Sequence, residues 1–237
     1  MCILFVYNGA KEIESDFSLI LISNRDEFYE RPAQCMAPWS EDQCVYGGRD
    51  LATGCEKGTW LAVSSKYKKN VILLCSINLL YIHFKKLNLY FFLRDSLPEV
   101  KTYTNATNEI VHWSDTYLGF GNSLPDKPLK KVQNGVKLLK NICTKLNKIN
   151  TKTELLTELI GLLKNQESHL PDPQLEERQP NIYKELSSIF VNIPKAKYGT
   201  RYIDYFFFLI SNKIKKISLK LRNIEKHLRS SANDYQY

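Results

Sequence analysis

The chain has 237 residues, of which 43% are hydrophobic and 24% are charged, with a formal net charge of +8. This length suits one domain with a sizeable core or two very small ones, and the absence of a repeat or a long low-complexity tract excludes repeat architectures. The six cysteines are irregularly spaced and contain no C-x-x-C pair, and because no signal peptide is expected, we expect them to be reduced cytosolic thiols.

The first predicted element is a short apolar strand over residues 3–7, and Cys2 stands directly before it. Because Cys is small, removal of Met1 is expected to be efficient and would leave a thiol and a free α-amine on one residue. An α-amine titrates near ~8 and can serve as the general base for its own nucleophile. This is the chemistry of N-terminal-nucleophile hydrolases. The alternative is that Cys2 is a small core residue at a strand end.

A second apolar strand, over residues 17–22, follows an acidic turn and predicts a β-hairpin. The hairpin would place the Asn-Arg-Asp-Glu cluster of residues 24–27 at a strand end beside the start of the chain. There Arg25 can hold a thiolate or an oxyanion, and Asp26 can orient the α-amine. The alternative is a solvated turn with an Arg–Asp pair that contributes little to stability.

Residues 71–93 are the most apolar stretch, but polar and basic residues interrupt them before they reach the ~20 residues of a bilayer span. We expect two buried strands joined by a basic turn. We also expect no secretory signal, since the N-terminal apolar run is short and has no basic flank.

The second half of the chain predicts helices and then strands. Apolar residues recur at three- and four-residue steps over residues 127–147, which predicts an amphipathic helix. Thr151 and Glu154 form a capping-box pattern that opens a second helix through Leu162. A proline-rich loop (Pro171, Pro173, Pro180) and strands over residues 186–191 and 202–211 follow. Early strands, central helices and late strands predict an α+β domain of layered sheets and helices.

The C-terminal segment is strongly basic. Residues 213–229 contain seven Lys or Arg and one Glu, a net charge of +6. A strand at 216–221 running into a basic helix fits the pattern, and such a helix can lie on an anionic membrane at roughly 1 kcal/mol per basic residue. The alternative is a solvated basic edge. Nucleic acid is not an expected partner, since no aromatic interleaving or known motif accompanies the charge. We predict one domain over 1–212 and a basic segment over 213–237.

Six short segments, in order along the chain, resemble motifs of the NRDE family, the family of transport and Golgi organization protein 2. They are residues 1–3, 24–32, 58–61, 121–124, 170–173 and 198–201. The sequence departs from the family at Lys57, where a Gly is usual, at residues 200–204, where bulky aromatics replace a Thr-rich run, and after Asn78, where part of the central region is missing.

The resemblance implies an αββα fold like that of N-terminal-nucleophile hydrolases and a set of candidate catalytic residues. Cys2 would be the nucleophile, with Arg25 and Asp26 setting the pKa values of its thiol and amine. Asn78 and Asn122 are candidate oxyanion donors, each worth ~3 kcal/mol of barrier. Arg201 would bind an anionic substrate group or brace the site.

The resemblance also implies a role in Golgi organisation and protein secretion. Animal members are linked to mitochondria, to acyl-lipid and acyl-CoA balance and to haem trafficking. We therefore expect a cytoplasmic protein with Golgi or mitochondrial association that handles a small-molecule or lipid-like ligand, acyl-CoA or haem. The alternative is an amide or thioester hydrolase that uses Cys2. No metal site is expected from Cys35, Cys44 and Cys55, which lack a matching His spacing, whereas a single axial Cys or His ligand to haem stays open.

Overall fold

In the computed structural model, residues 2–56, 58–64, 87–94, 97–104, 108–123, 126–210 and 222–223 are described. Asn78 and Lys57 lie outside the described residues. So do most of the predicted strand pair at 71–93 and most of the basic segment at 213–229.

The described chain is α+β, as predicted, with antiparallel sheets and a few helices. The strands are β1 (Cys2–Tyr7), β2 (Phe17–Phe28), β3 (Ala33–Pro38), β4 (Val45–Asp50), β5 (Ala62–Ser64), β6 (Leu87–Arg94), β7 (Leu97–Thr104), β8 (Glu109–Trp113), β9 (Tyr117–Phe120), β10 (Asn192–Ile193), β11 (Tyr198–Leu209) and β12 (Arg222–Asn223). The α-helices are α1 (Lys130–Cys143), α2 (Lys152–Leu163), α3 (Pro173–Arg178) and α4 (Tyr183–Leu186).

The main sheet has the order β10-β11-β2-β1-β9, and β12 also pairs with β11. The predicted hairpin of β1 and β2 is confirmed, with Cys2 opposite Arg25. β2 continues to Phe28, however, so residues 24–27 lie within the strand and not in a turn. The cluster extends the strand because β11, which is twelve residues long, pairs with it along nearly its whole length.

The two faces of the main sheet are covered by different elements. Alternate residues of β1 and β2 point to opposite faces. Ile20 and Ile22 belong to the core that α1 and α2 complete. Leu19 and Leu21 belong to a second core with Met36, Trp60, Leu61 and Val63, which lie on β3, on β5 or just before β5. Helices therefore cover one face and the β3-β4-β5 sheet covers the other.

The helix predictions are partly correct. Both central helices form: α1 lies within its predicted range, and α2 ends at Leu163, one residue beyond its predicted end. The predicted capping box is wrong, because Thr151 makes no cap bond and its hydroxyl donates to the carbonyl of Lys148 at 3.0 Å. Among the described residues, no helix is both long and apolar enough to span a membrane.

Two predictions in the late part of the chain need correction. The proline-rich loop contains α3, whose N-cap carboxylate, Asp172, accepts from the Leu175 amide at 3.2 Å. Residues 186–191 form no strand; the end of α4 and an irregular buried segment occupy them, and β10 follows. Most apolar side chains of residues 186–191 are buried by packing against the helices, so they need no pairing within a sheet. The last strand forms as β11, which begins earlier than predicted.

Candidate functional site

Cys2 is the first residue of β1 and is half-buried against the core between the two sheets. Its backbone nitrogen donates to Asn122 Oδ1 at 2.7 Å. This contact joins the start of the chain to the segment after β9. The sequence predicted Asn122 as an oxyanion donor, whereas its carbonyl oxygen holds the nitrogen that would become the α-amine if Met1 were removed.

Arg25 lies opposite Cys2 on β2 and faces the second sheet. Its guanidinium stacks 4.3 Å from the ring centroid of Trp60 and 5.7 Å from that of Tyr202. Its Nη2 lies 3.6 Å from Asp50 and 3.9 Å from Glu27. The Nη1 atom is buried and has no hydrogen-bond partner among the described residues. This arrangement fixes a buried cation beside Cys2 and leaves donor capacity for an anion.

Asp26, the next residue, faces the helices. Its Oδ1 accepts from the Thr200 hydroxyl at 2.6 Å, and its Oδ2 lies 3.8 Å from the Lys131 ammonium on α1. Lys131 Nζ also donates to the carbonyl of Ser188 at 3.1 Å. Asp26 and Lys131 are both almost fully buried, so each charge depends on its partner.

The pKa values of these groups reflect that burial. Burial raises the pKa of the Cys2 thiol, while the chain's amino terminus and Arg25 act in the opposite direction. Burial also raises the pKa of the Asp26 carboxyl and lowers the pKa of the Lys131 ammonium, and the two partners oppose each other's shifts. Perturbed titratable groups that cluster in this way are typical of functional sites, although structural ion pairs produce them too.

Arg201 is the extra residue of an irregularity in β11, between the pairs Thr200–Asp26 and Tyr202–Arg25. Its guanidinium donates to the carbonyl oxygens of Phe28 and Arg31, which lie at and after the end of β2. Of the two roles predicted for Arg201, these contacts favour bracing the site.

Asn24, the first residue of the Asn-Arg-Asp-Glu cluster, has a structural role. Its side-chain amide donates to the carbonyl of Leu163 at 2.7 Å and to that of Ile189 at 3.0 Å. It thereby satisfies a carbonyl at the C-terminal end of α2, where a helix leaves carbonyls without intrahelical partners.

Sequence reasoning missed four residues of this site: Lys131, Trp60, Thr200 and Asp204. Trp60 Nε1 donates to the buried Asp204 carboxylate at 2.8 Å. Trp60 and Thr200 lie inside motifs already noted, but their contacts depend on the pairing of distant strands. Lys131 precedes Gly135 and Leu139 at four-residue steps. This spacing places it on the buried side of α1 and could have identified it from the sequence.

Two surface cavities lie away from Cys2. One, of about 490 Å³, lies between α1 and α2 and is lined by residues such as Leu138, Ile142 and Glu158. The other, of about 440 Å³, lies beside Trp39 and Arg49. Neither contains a predicted site residue. Within the described part of the chain, no three His, Cys, Asp or Glu side chains are grouped as metal ligands would be.

Comparison with known proteins identifies the family to which this chain belongs. The family model Transport and Golgi organisation 2 matches residues 1–76 and 74–217. The chain is 28% identical to Transport and Golgi organization protein 2 of Drosophila melanogaster, covering 96% of this chain and 94% of that protein. It is 28% identical to the homolog of Mus musculus and 27% identical to that of Homo sapiens, covering 85% of this chain and 86% of each. The chain belongs to the Transport and Golgi organisation 2 family.

The family match divides into two segments near residues 74–76. The sequence predicts a shortened central region directly after this point, following Asn78. The aligned length with the Drosophila relative, 272 positions, also exceeds this 237-residue chain, so that relative carries residues for which this chain has no counterpart.

Proposed function

We propose that the chain shares the role for which its relatives are named, transport and Golgi organisation, and that it acts through a small-molecule site around Cys2. The ligand class is an acyl thioester such as acyl-CoA, or haem. Cytoplasmic residence with Golgi or mitochondrial association is part of this proposal. So is the layered αββα arrangement. The helices on one face of the main sheet and the second sheet on its other face support three of its four layers.

One observation carries the proposal: two family motifs that are distant in sequence meet at the first residue of β1, and a third binds the neighbouring Asp26. Cys2 pairs with Arg25 of the Asn-Arg-Asp-Glu motif, and its nitrogen bonds Asn122 of the second motif. Thr200 of the third motif bonds Asp26. Convergence of charged and polar groups at one half-buried thiol is difficult to explain by packing alone, because burying such groups costs stability.

The chemistry of this site suits an anionic ligand. Arg25 is held by two aromatic rings and has an unused donor, Nη1. A guanidinium with free N–H groups recognises carboxylate, thioester-derived oxyanion or phosphate groups. Acyl-CoA carries phosphates and haem carries propionates, so both ligands offer such groups. Cys2 is also a candidate axial thiolate ligand for haem.

A second candidate function is hydrolysis of an amide or a thioester. The bond from Cys2 N to Asn122 Oδ1 favours it, because that contact would orient the free α-amine of a chain that begins at Cys2. The amine would accept the proton of its own thiol, and the sulfur would then attack the carbonyl. Arg25 Nη1 would stabilise the oxyanion.

The test uses full-length protein whose N-terminus is first determined by intact-protein mass spectrometry. Acyl-CoA and haem are titrated separately against wild type, Cys2→Ala and the control Cys55→Ala, and release of free CoA from acyl-CoA is measured in parallel. If the protein is an acyl carrier, Cys2→Ala keeps most of the acyl-CoA affinity and wild type releases no CoA. If it is a hydrolase, wild type releases CoA and Cys2→Ala does not.

The control separates the site from general thiol effects. Cys55 is also a half-buried free thiol, but it belongs to the loop between β4 and β5 and not to β1, so Cys55→Ala should behave as wild type in every assay. Full hydrolysis by Cys2→Ala would exclude Cys2 as the nucleophile. Failure of both ligands to bind, with no hydrolysis, would exclude the proposed ligand classes.

A further inference from the structure

Lys131 is the one lysine among the described residues that the fold buries almost completely, and Asp26 is the carboxylate it faces. Among the described residues, Ser188 supplies the carbonyl to which Lys131 Nζ donates. A buried ammonium that is satisfied in this way needs its counter-charge to be ionised, since an uncompensated buried charge costs several kcal/mol. The geometry therefore ties the charge of Asp26 to the presence of Lys131.

The same carboxylate lies beside the start of the chain. Asp26 follows Arg25, the strand partner of Cys2, and the charges of both Asp26 and Lys131 interact with the thiol of Cys2, the residue that would carry the α-amine. A chain that begins at Cys2 would place a second ionisable nitrogen near Asp26. One carboxylate balances one positive charge, so the protonated α-amine would leave the buried site with an excess positive charge. Like charges within a few ångströms favour loss of a proton from one of them.

We propose that Lys131 is a positioning residue that neutralises Asp26 and thereby keeps the Cys2 α-amine unprotonated, ready to accept the thiol proton. This inference rests on the hydrolase form of the proposed function. The proton moves from Cys2 Sγ to the α-amine, leaving a thiolate and an ammonium. When the sulfur bonds the carbonyl carbon and the leaving group departs, the ammonium returns the proton to it.

Other ionisable groups near Cys2 come from several elements and must be counted. They are Arg25 and Glu27 of β2, Tyr198 of β11, and Asp172 before α3, which acts on Lys131. Burial holds the pKa of Tyr198 well above its usual value, so this phenol stays neutral through the relevant range. Arg25 is paired with Glu27 and Asp50 on the other face of the sheet. On the helical face, Asp26 and Lys131 are therefore the pair of charges that affects protonation of the Cys2 α-amine.

The test measures the pKa of the α-amine directly and needs no substrate. Protein labelled with ¹³C-cysteine is prepared with Met1 removed, as verified by intact mass, and the Cys2 ¹³Cα shift is followed from about pH 5 to about pH 10. The variants are Lys131→Met, Asp26→Asn and the double variant. Lys130→Met is the matched control, since this neighbouring lysine is exposed on the same helix.

The expected shifts have opposite signs. Lys131→Met leaves Asp26 to stabilise the ammonium and should raise the amine pKa by about one unit, a tenfold change in the fraction of neutral amine. Asp26→Asn leaves Lys131 to oppose the ammonium and should lower the pKa. The double variant should lie between them, and Lys130→Met should match wild type. A merely structural role for Lys131 would not produce opposite shifts.

The outcomes separate this inference from the function on which it rests. If Met1 is retained on the native protein, the α-amine does not belong to Cys2 and the hydrolase function itself is overturned. If Met1 is removed and Lys131→Met leaves the pKa unchanged or lowers it, the role of Lys131 is overturned alone. Should Lys131→Met not fold, Asp26→Asn decides, because an unchanged or raised amine pKa in that variant contradicts the inference.

Discussion

Asp204 shows how a single buried carboxyl links the site to the stability of the sheet. Its side chain is only 4% exposed, and it accepts the Trp60 indole N–H at 2.8 Å. Burial raises the pKa of Asp204 to about 6, although the bond from Trp60 and the charge of Arg25 oppose that shift. The Trp60 ring in turn carries the Arg25 guanidinium, so this carboxyl supports the cation beside Cys2.

The raised pKa of Asp204 predicts a pH-dependent stability. In the unfolded chain this carboxyl ionises near ~3.9, so ionisation favours the unfolded state. Its contribution to the free energy of unfolding is fully retained below about pH 4, falls as the pH rises to about 6, and is constant above that. Asp204→Asn should keep the acceptor for Trp60 and remove this loss, which is about 3 kcal/mol across the window.

Urea unfolding of wild type and Asp204→Asn at several pH values between about 4 and 7 measures this difference. The variant should gain stability relative to wild type as the pH rises. The exposed residue Asp115 provides the control variant, Asp115→Asn, which makes the same chemical change outside the core. A difference between Asp204→Asn and wild type that stays constant with pH would mean that the Asp204 carboxyl ionises normally in the folded protein.

At the scale of elements, a glycine in α1 is closely packed against the main sheet, whereas a glycine in α2 faces open space. A Cβ at Gly135 in α1 would lie 2.1 Å from the Phe5 ring of β1, whereas a Cβ at Gly161 in α2 would meet no atom within 4 Å. Gly135 therefore allows close approach of α1 to the main sheet. Gly161 has no comparable packing role.

Substitution of each glycine by Ala should change stability in opposite directions. Gly135→Ala should lower the free energy of unfolding by about 1–3 kcal/mol, because the Phe5 ring or the helix must move. Gly161→Ala should raise it by up to about 1 kcal/mol through better helix propensity. Denaturant unfolding compares the two variants directly, and equal effects would show that α1 can shift away from β1 without cost.

The elements with long apolar runs or a clear helical period were predicted correctly from the sequence, and the local details were not. The strands β1 and β2 follow two continuous apolar runs with a polar turn between them, and the helix α1 follows a clear helical period of apolar residues. The start of α3 was missed, although Asp172 followed by Pro173 is an ordinary helix-start signal. The end of β2 was missed because charged residues suggest a turn, whereas pairing with β11 decides their conformation.

The candidate site was predicted only where it coincides with family motifs. Cys2, Arg25, Asp26 and Asn122 are brought together by the fold, and Asn78 lies outside the described residues. Lys131 was not predicted, because a lysine on an amphipathic helix is expected to be solvated unless a tertiary partner is known. Sequence patterns report local preferences, and ion pairs between distant elements are settled by tertiary packing.

Over the whole molecule, charge is unevenly distributed. Residues 1–60 contain five Lys or Arg and ten Asp or Glu, whereas residues 213–229 carry a net charge of +6. An acidic end and a basic end predict that an anionic surface is approached by the C-terminal segment. Contact of this segment with an anionic membrane stays a prediction from the sequence.

Neutralising part of the basic segment should weaken binding to anionic vesicles. Replacing Lys213, Lys215, Lys216 and Lys220 by Gln should remove about 4 kcal/mol of attraction, or ~10³-fold in partitioning at low salt. Cosedimentation with phosphatidylserine vesicles measures this loss of partitioning. Neutral vesicles should bind neither the wild type nor the variant.

The matched control for that experiment has the same change in net charge at exposed lysines of the folded domain. These are Lys140, Lys145, Lys164 and Lys195. The control variant should retain most of its vesicle binding. If both variants lose binding equally, net charge and not the C-terminal segment determines attraction to the membrane.

The alternation of residues along β2 restricts where this chain can change length. Asn24 and Asp26 contact the helices, and Arg25 contacts Trp60 on the side of the second sheet. An inserted or deleted residue between Phe17 and Ser23 would exchange these faces, turning Arg25 toward Lys131 and Asp26 toward Trp60. The turn between β1 and β2 has no such restriction. Viable length variants of this hairpin should therefore carry their insertions and deletions in residues 8–16 and leave the strand itself at constant length.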